Sequence, residues 1–137
     1  DAMKANDLKA DPKLVAECAA FAEEEGLRAT RSLLKGHTPF TAIVAANDRL
    51  ALGAYDALAE RGLRCPDDIS ITGFNDMPLV DKVRPPLTTV RIPLYDMGAQ
   101  AAQMLLSQLG PSRGAPRTLA LEPTLVVRGS TGQAKAL

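Results

Sequence analysis

Between residues 41 and 90 the spacing of hydrophobic and polar positions changes rhythm several times. Ala42, Ile43, Val44, Ala45 and Ala46 form an unbroken apolar run, the pattern of a strand covered on both faces, as in parallel sheets. Asn47 and Asp48, both strong N-cap residues, come next. Leu50, Ala51, Ala54, Ala57 and Leu58 then recur at helical spacing until Gly62 supplies a stop. Pro66, Asp67 and Asp68 turn the chain into a second strand, 69–74, which closes on Asn75 and Asp76. Strand, helix, strand in so few residues is a βαβ unit, so the strands run parallel and the crossover is right-handed. In open α/β sheets ligands bind beyond the carboxyl ends of the strands, where Asn47 and Asn75 fall.

The flanking segments extend the alternation. Residues 1–10, with Met3, Leu8 and several Ala and Lys, read as the last turns of a helix ended by Asp11 and Pro12. Residues 14–19 make a strand that delivers Phe21 just past its carboxyl end. A helix follows over 22–35, with Glu23, Glu24 and Glu25 in its first turn and Lys35 in its last, as the helix dipole favours; its buried stripe is Leu27, Thr30, Leu33 and Leu34. After Phe74 the chain is a loop through Pro78, Pro85 and Pro86, then extended over 87–92. Pro93 opens a helix to Leu109 whose Gly98, Ala101, Ala102, Leu105 and Leu109 form a stripe of small and apolar residues. Gly110 and Pro111 stop it, 112–116 is a loop, 118–121 and 124–128 are short strands, and 129–137 is a frayed tail. The fold class is α/β, a mostly parallel sheet flanked by helices.

Composition narrows the function without naming it. Sixteen basic and sixteen acidic residues cancel among 137, with no basic cluster, so this piece should not hold DNA by itself. No apolar stretch is long enough for a membrane span, and no signal peptide pattern opens the chain. Cys18 and Cys65 are too few and too far apart for a zinc or redox motif, which suits reduced thiols in a cytoplasmic protein. His37 lies in a Gly-Pro turn without ligand-spaced partners, so neither a metal nor a cofactor is expected. The phosphate-binding and nucleophile-elbow motifs are absent, and the glutamates fit a helix start better than a catalytic pair, so no enzyme is expected. What remains is Phe21, Asn47 and Asn75 at three strand ends. An aromatic face with amides that donate and accept suits a small polar ligand, although both asparagines equally suit helix capping and Phe21 the core.

Those residues sit in an ordered set of motifs. T-A-I-V-A-A-N-D-R-L-A-L-G at 41–53, I-S-I-T-G-F-N-D at 69–76, P-P-L-T-T-V at 85–90 and L-E-P-T-L-V-V-R-G-S-T at 121–131 resemble the effector-sensing core of the lactose-repressor/galactose-repressor (LacI/GalR) family of bacterial transcription regulators. The resemblance covers about 14–131 and implies the following. Residues 1–137 would be a single partial domain, one lobe of a type I periplasmic-binding-protein-like sensor, with the DNA-binding helix-turn-helix, most of the other lobe and this lobe's opening strand upstream. Effector, a carbohydrate or a nucleobase-like molecule, would lie between the lobes against Asn47, Asn75 and Phe21. Asn75 stands where the family usually has Asp, which removes a charge. Leu94 stands where some members place an aromatic, so stacking there is lost. The helix at 93–110 would cross into the other lobe, and a homodimer would form through Leu52, Tyr55, Met77 and Val83, although Leu52 also suits the core. An exported solute-binding protein for a sugar transporter has the same lobes and is the alternative.

Overall fold

The computed structural model describes residues 2–109 and 117–134. The elements are helix α1 (Ala2–Ala5), a 3-10 turn at Pro12–Leu14, α2 (Glu23–Lys35), β1 (Ala42–Val44), α3 (Asp48–Glu60), β2 (Ser70–Asn75), β3 (Thr88–Arg91), α4 (Leu94–Leu109) and β4 (Thr124–Val126). The four strands form one sheet in the order β1-β2-β3-β4. β1 pairs with β2 in parallel, Ile43 opposite Ile71, and β2 with β3 in parallel, Gly73 opposite Thr89; β4 returns antiparallel to β3. The α/β class and the parallel central pair therefore stand as expected.

α3 forms because its apolar positions line one face and both ends are capped. Leu50, Ala51, Ala54, Ala57 and Leu58 are buried, and Ala51, Ala54 and Leu58 join Ile69, Ile71, Val80 and Leu87 in the core. At its end Gly62 takes φ +66, its N–H reaching Ala59 and that of Leu63 reaching Leu58, a Schellman closure that a side chain would strain. α2 lies alongside α3 rather than on the sheet. Its buried residues are Gly26, Ala29 and Thr30, whereas Leu27, Leu33 and Leu34 are only half-buried. The stripe shifts because the helices approach to backbone contact: Gly26 faces the backbone of Leu50, and Gly53 faces that of Glu23 and Leu27. Glycine, not leucine, sets the contact line.

Several segments depart from the sequence expectations. Residues 14–19 form no strand. They are held instead by α2: the Ala19 N–H donates to Glu25 at 2.7 Å, and Arg28, paired with Glu25, donates to the Glu17 carbonyl at 3.0 Å. Residues 118–121 form no strand either, and β4 stops at Val126. β1 is not covered on both faces; it is an edge strand among the described residues, with Val44 85% exposed. The expected opening helix is limited to Ala2–Ala5. Residues 129–132 are not frayed. Ser130 is fully buried, its hydroxyl accepting the Thr88 N–H at 2.7 Å and donating to the Ile71 carbonyl at 2.6 Å. The stop at 110–111, the loop at 112–116 and the tail beyond 134 lie outside the described residues.

α4 follows its predicted span, yet no residue of it is buried. The whole stripe of Gly98, Ala101, Ala102, Leu105 and Leu109 is exposed. No helix among the described residues is long and apolar enough to cross a membrane. The glycine contact yields a prediction: Gly53→Ala, which favours an isolated helix, should destabilise this fold by about 1–3 kcal/mol through overpacking, measured by urea unfolding.

Candidate functional site

Parallel strands end at a common edge, so the residues that follow them are gathered there. β1 runs out into Asn47, β2 ends on Asn75, and β3 ends on Arg91, three residues before Leu94. Asn75 and Arg91 are partners in register. Phe21 reaches the same edge by a different route from the one expected, through a loop rather than a strand. Two residues after it, Glu23 meets Arg49 at the start of α3 at 3.5 Å, so α2 and α3 begin side by side. Phe21 is 67% exposed and Leu94 62%, Asn75 is half-buried, and Asn47 is 8% exposed.

Asn47 does cap α3: its Oδ1 accepts the Leu50 N–H at 2.9 Å. That bond occupies the oxygen alone. The amide nitrogen has no hydrogen-bond partner among the described residues and is not sealed from solvent. Capping and presentation of a donor at the edge are therefore compatible. Asn75 has φ 112 and Asp76 φ 55, and Leu79 follows at φ 77, three left-handed residues within five. Asn and Asp adopt this region more readily than most side chains, which suits them to a strand that must turn abruptly at its end.

Two carboxylates next to these amides hold the edge together, and the sequence pattern reads them only as a cap candidate, Asp48, and a strand-closing residue, Asp76. Asp48, fully buried, accepts from the Thr89 hydroxyl at 2.5 Å and from the Met77 N–H at 2.7 Å. Asp76 accepts from Arg91 Nε at 2.6 Å and from Arg128 Nη2 at 2.7 Å. Arg128 also donates to the Leu87 carbonyl at 2.8 Å, tying the segment after β4 to the start of β3. Burial raises the Asp76 carboxyl, but the hydrogen bonds and charges of Arg128 and Arg91 outweigh it and hold the group below its ordinary range. The available signal was each acid's position beside a strand-end asparagine; their partners lie far along the chain.

The residues expected at a dimer interface pack around the core rather than gathering on the strand-end edge, although Met77 also meets that edge through its bond to Asp48. Tyr55, Met77 and Val83 are half-buried and pack against the core cluster, and Leu52 is half-buried. The Tyr55 hydroxyl donates to the Pro85 carbonyl at 2.9 Å, and burial pushes its phenol well above the ordinary value. A shallow cavity of about 260 Å³, lined by Tyr55, Leu58, Leu63, Cys65 and Pro85, lies at the amino edge of the sheet, away from Asn47 and Asn75. His37 is exposed in its turn, and among the described residues no three His, Cys, Asp or Glu side chains gather as a ligand set.

Known proteins share this fold. Residues 1–131 match the periplasmic binding protein-like domain family. The HTH-type transcriptional regulator MalR of Streptomyces coelicolor is 44% identical over 110 residues, 80% of this chain and 32% of that protein. A transcriptional regulator of the LacI family from Sanguibacter keddieii superposes with a TM-score of 0.89 at 35% identity, over 96% of this chain and 49% of that one. The complex of the transcriptional regulator CelR with cellobiose superposes with a TM-score of 0.89 at 32% identity, over 94% of this chain and 39% of that one. The chain thus belongs to the periplasmic binding protein-like domain family, in the form carried by LacI/GalR-type regulators. It spans about a third of the length of the curated relatives it matches.

The Asp76 clamp predicts a pH dependence. A carboxyl held below its unfolded value contributes stability that is present above the ordinary carboxylate range and is lost as pH falls through the folded-state value. Asp76→Asn should therefore lower the urea midpoint at neutral pH. The gap to the parent should close in acid, measured as paired unfolding curves along a pH series.

Proposed function

We propose that this chain is the effector-binding lobe of a cytoplasmic transcription regulator, taking a small sugar-like or nucleobase-like ligand at the carboxyl edge of its parallel strands. The observation that carries the reading is the convergence of Phe21, Asn47, Asn75 and Leu94 on that edge, with an amide donor on Asn47 that has no partner among the described residues. Phe21 offers a ring to the apolar face of a sugar or base, and the amides offer donors and acceptors to its hydroxyl or carbonyl groups. Leu94 adds apolar surface without a ring. The cellobiose bound to CelR supports a carbohydrate as the first class to test.

In this reading the ligand closes against a second lobe, and the exposed stripe of α4 packs there. Ligand and operator each favour one arrangement of the whole protein, and the shared equilibrium couples them. DNA is held by a separate helix-turn-helix domain. Two copies associate through the surface bearing Leu52, Tyr55, Met77 and Val83. The relatives named as regulators favour this over the exported solute-binding alternative.

A thermal-shift screen of the regulator containing this lobe against sugars, sugar acids, purines and nucleosides tests the proposal; a screen in which no compound raises the melting temperature sinks it. Asn75→Asp restores the acceptor-only carboxylate usual in the family. It should tighten binding of ligands with adjacent hydroxyls by about tenfold, since hydrogen bonds to charged groups are worth about 1.5–3 kcal/mol, and weaken ligands that accept from the amide. Isothermal titration of both proteins against the same panel reads the change. Asn47→Ala should lower affinity and also remove about 1 kcal/mol of stability through the lost cap, so binding is compared well below its melting temperature.

A further inference from the structure

We infer that Asp48 is a positioning residue for this edge: resting on the effector-binding reading, it touches no ligand but fixes where the amides of Asn47 and Asn75 stand relative to one another. Its carboxylate is fully buried, and each of its oxygens holds a different part of the site. One accepts the Met77 N–H, two residues beyond Asn75. The other accepts the Thr89 hydroxyl, two residues before Arg91, in the strand that leads into α4. The backbone that bears the carboxylate continues directly from Asn47. A single rigid group therefore joins the ends of β1, β2 and β3.

The surroundings are shaped to admit it. Gly73, on β2 opposite Thr89, leaves the space that Asp48 Oδ1 occupies, because a Cβ at 73 would fall on that oxygen. The turn it supports is a demanding one, with Asn75, Asp76 and Leu79 all at positive φ. Left-handed backbone of this kind persists where the surroundings over-determine it. Met77 lies inside that turn, so its bond to Asp48 is one of the restraints that keep Asn75 facing the edge. The Arg91 and Arg128 clamp on Asp76 supplies another and does not involve Asn47. Beyond the β1–β2 ladder, whose last bond runs from the Ala45 N–H to the Thr72 carbonyl at 2.9 Å, Asp48 is the side chain that connects the two amides among the described residues.

The test uses the 137-residue chain and needs no ligand. In ¹⁵N–¹H spectra the side-chain amide pairs of Asn47 and Asn75 report the two positions, and hydrogen exchange reports the Met77 N–H. Asp48→Ala should move both amide pairs and speed Met77 exchange roughly tenfold or more, while the methyl signals of Leu58 and Ile71 stay in place. Asp48→Asn should restore both pairs, since an amide can accept from Met77 and donate to Thr89. Should Asp48→Ala fail to fold, Thr89→Val, which removes one bond at nearly constant volume, should move the same amide pairs. Unmoved amides in a folded Asp48→Ala, or in Thr89→Val where Asp48→Ala does not fold, overturn the inference. Its failure is separable from that of the effector reading, which the ligand screen decides on the parent protein.

Discussion

A carboxylate cut off from water is costly unless its lost hydration is replaced in full. At Asp48 the replacement comes from three directions. A hydroxyl on β3 and a backbone N–H beyond β2 donate to its two oxygens, and its place in the first turn of α3 puts the negative charge where the helix dipole favours it. The arrangement works only if β1, β2 and β3 end together and α3 starts there. The geometry of the edge thus follows from the need to satisfy one buried group. Ser130 plays the complementary part toward the other edge, joining β2 to the start of β3 through a fully buried hydroxyl.

Where a single element controls its own conformation, the sequence was readable. α3 has a cap at its start, a glycine stop and an apolar stripe between them, and all three hold. β2 and the parallel pairing follow from the βαβ spacing. Residues 14–19 were misread because an apolar run near a helix satisfies a strand pattern equally well. Two of their backbone groups are held by Glu25, which the pattern assigns to the start of α2, and by Arg28, which it leaves unassigned. The same limit applies to Gly26 and Gly53: each reads locally as a weak helix position, and only the neighbouring helix gives it a purpose.

The site was legible to the same degree and for the same reason. Asn47 and Asn75 stand at strand ends, so the topology alone sends them to one edge, whereas Leu94 is singled out only by the family resemblance. Phe21 arrives there because α2 runs beside α3, a tertiary fact that no local pattern contains. The partners that set the amides in place are 41 residues away for Asp48 and Thr89, and 52 away for Asp76 and Arg128. Such pairs lie beyond the reach of periodicity. At Asn47 the cap is present and uses only the amide oxygen, so capping and the proposed ligand contact are compatible.

The electrostatics of the edge bear on why position 75 can carry an amide. Arg91 is in register with Asn75, yet its guanidinium is already committed to Asp76, which Arg128 shares. A carboxylate at 75 would stand beside Asp76 in sequence and compete with it for Arg91, adding like-charge repulsion to a turn that is already left-handed. With asparagine there, the pairing of Asp76 with its two arginines is undisturbed, and the amides of positions 47 and 75 are neutral. On the proposed effector-binding role, selection at this edge would rest on the direction of donors and acceptors rather than on charge. An amide that can both give and accept a hydrogen bond discriminates by geometry, and geometry is what the buried carboxylate beneath it controls.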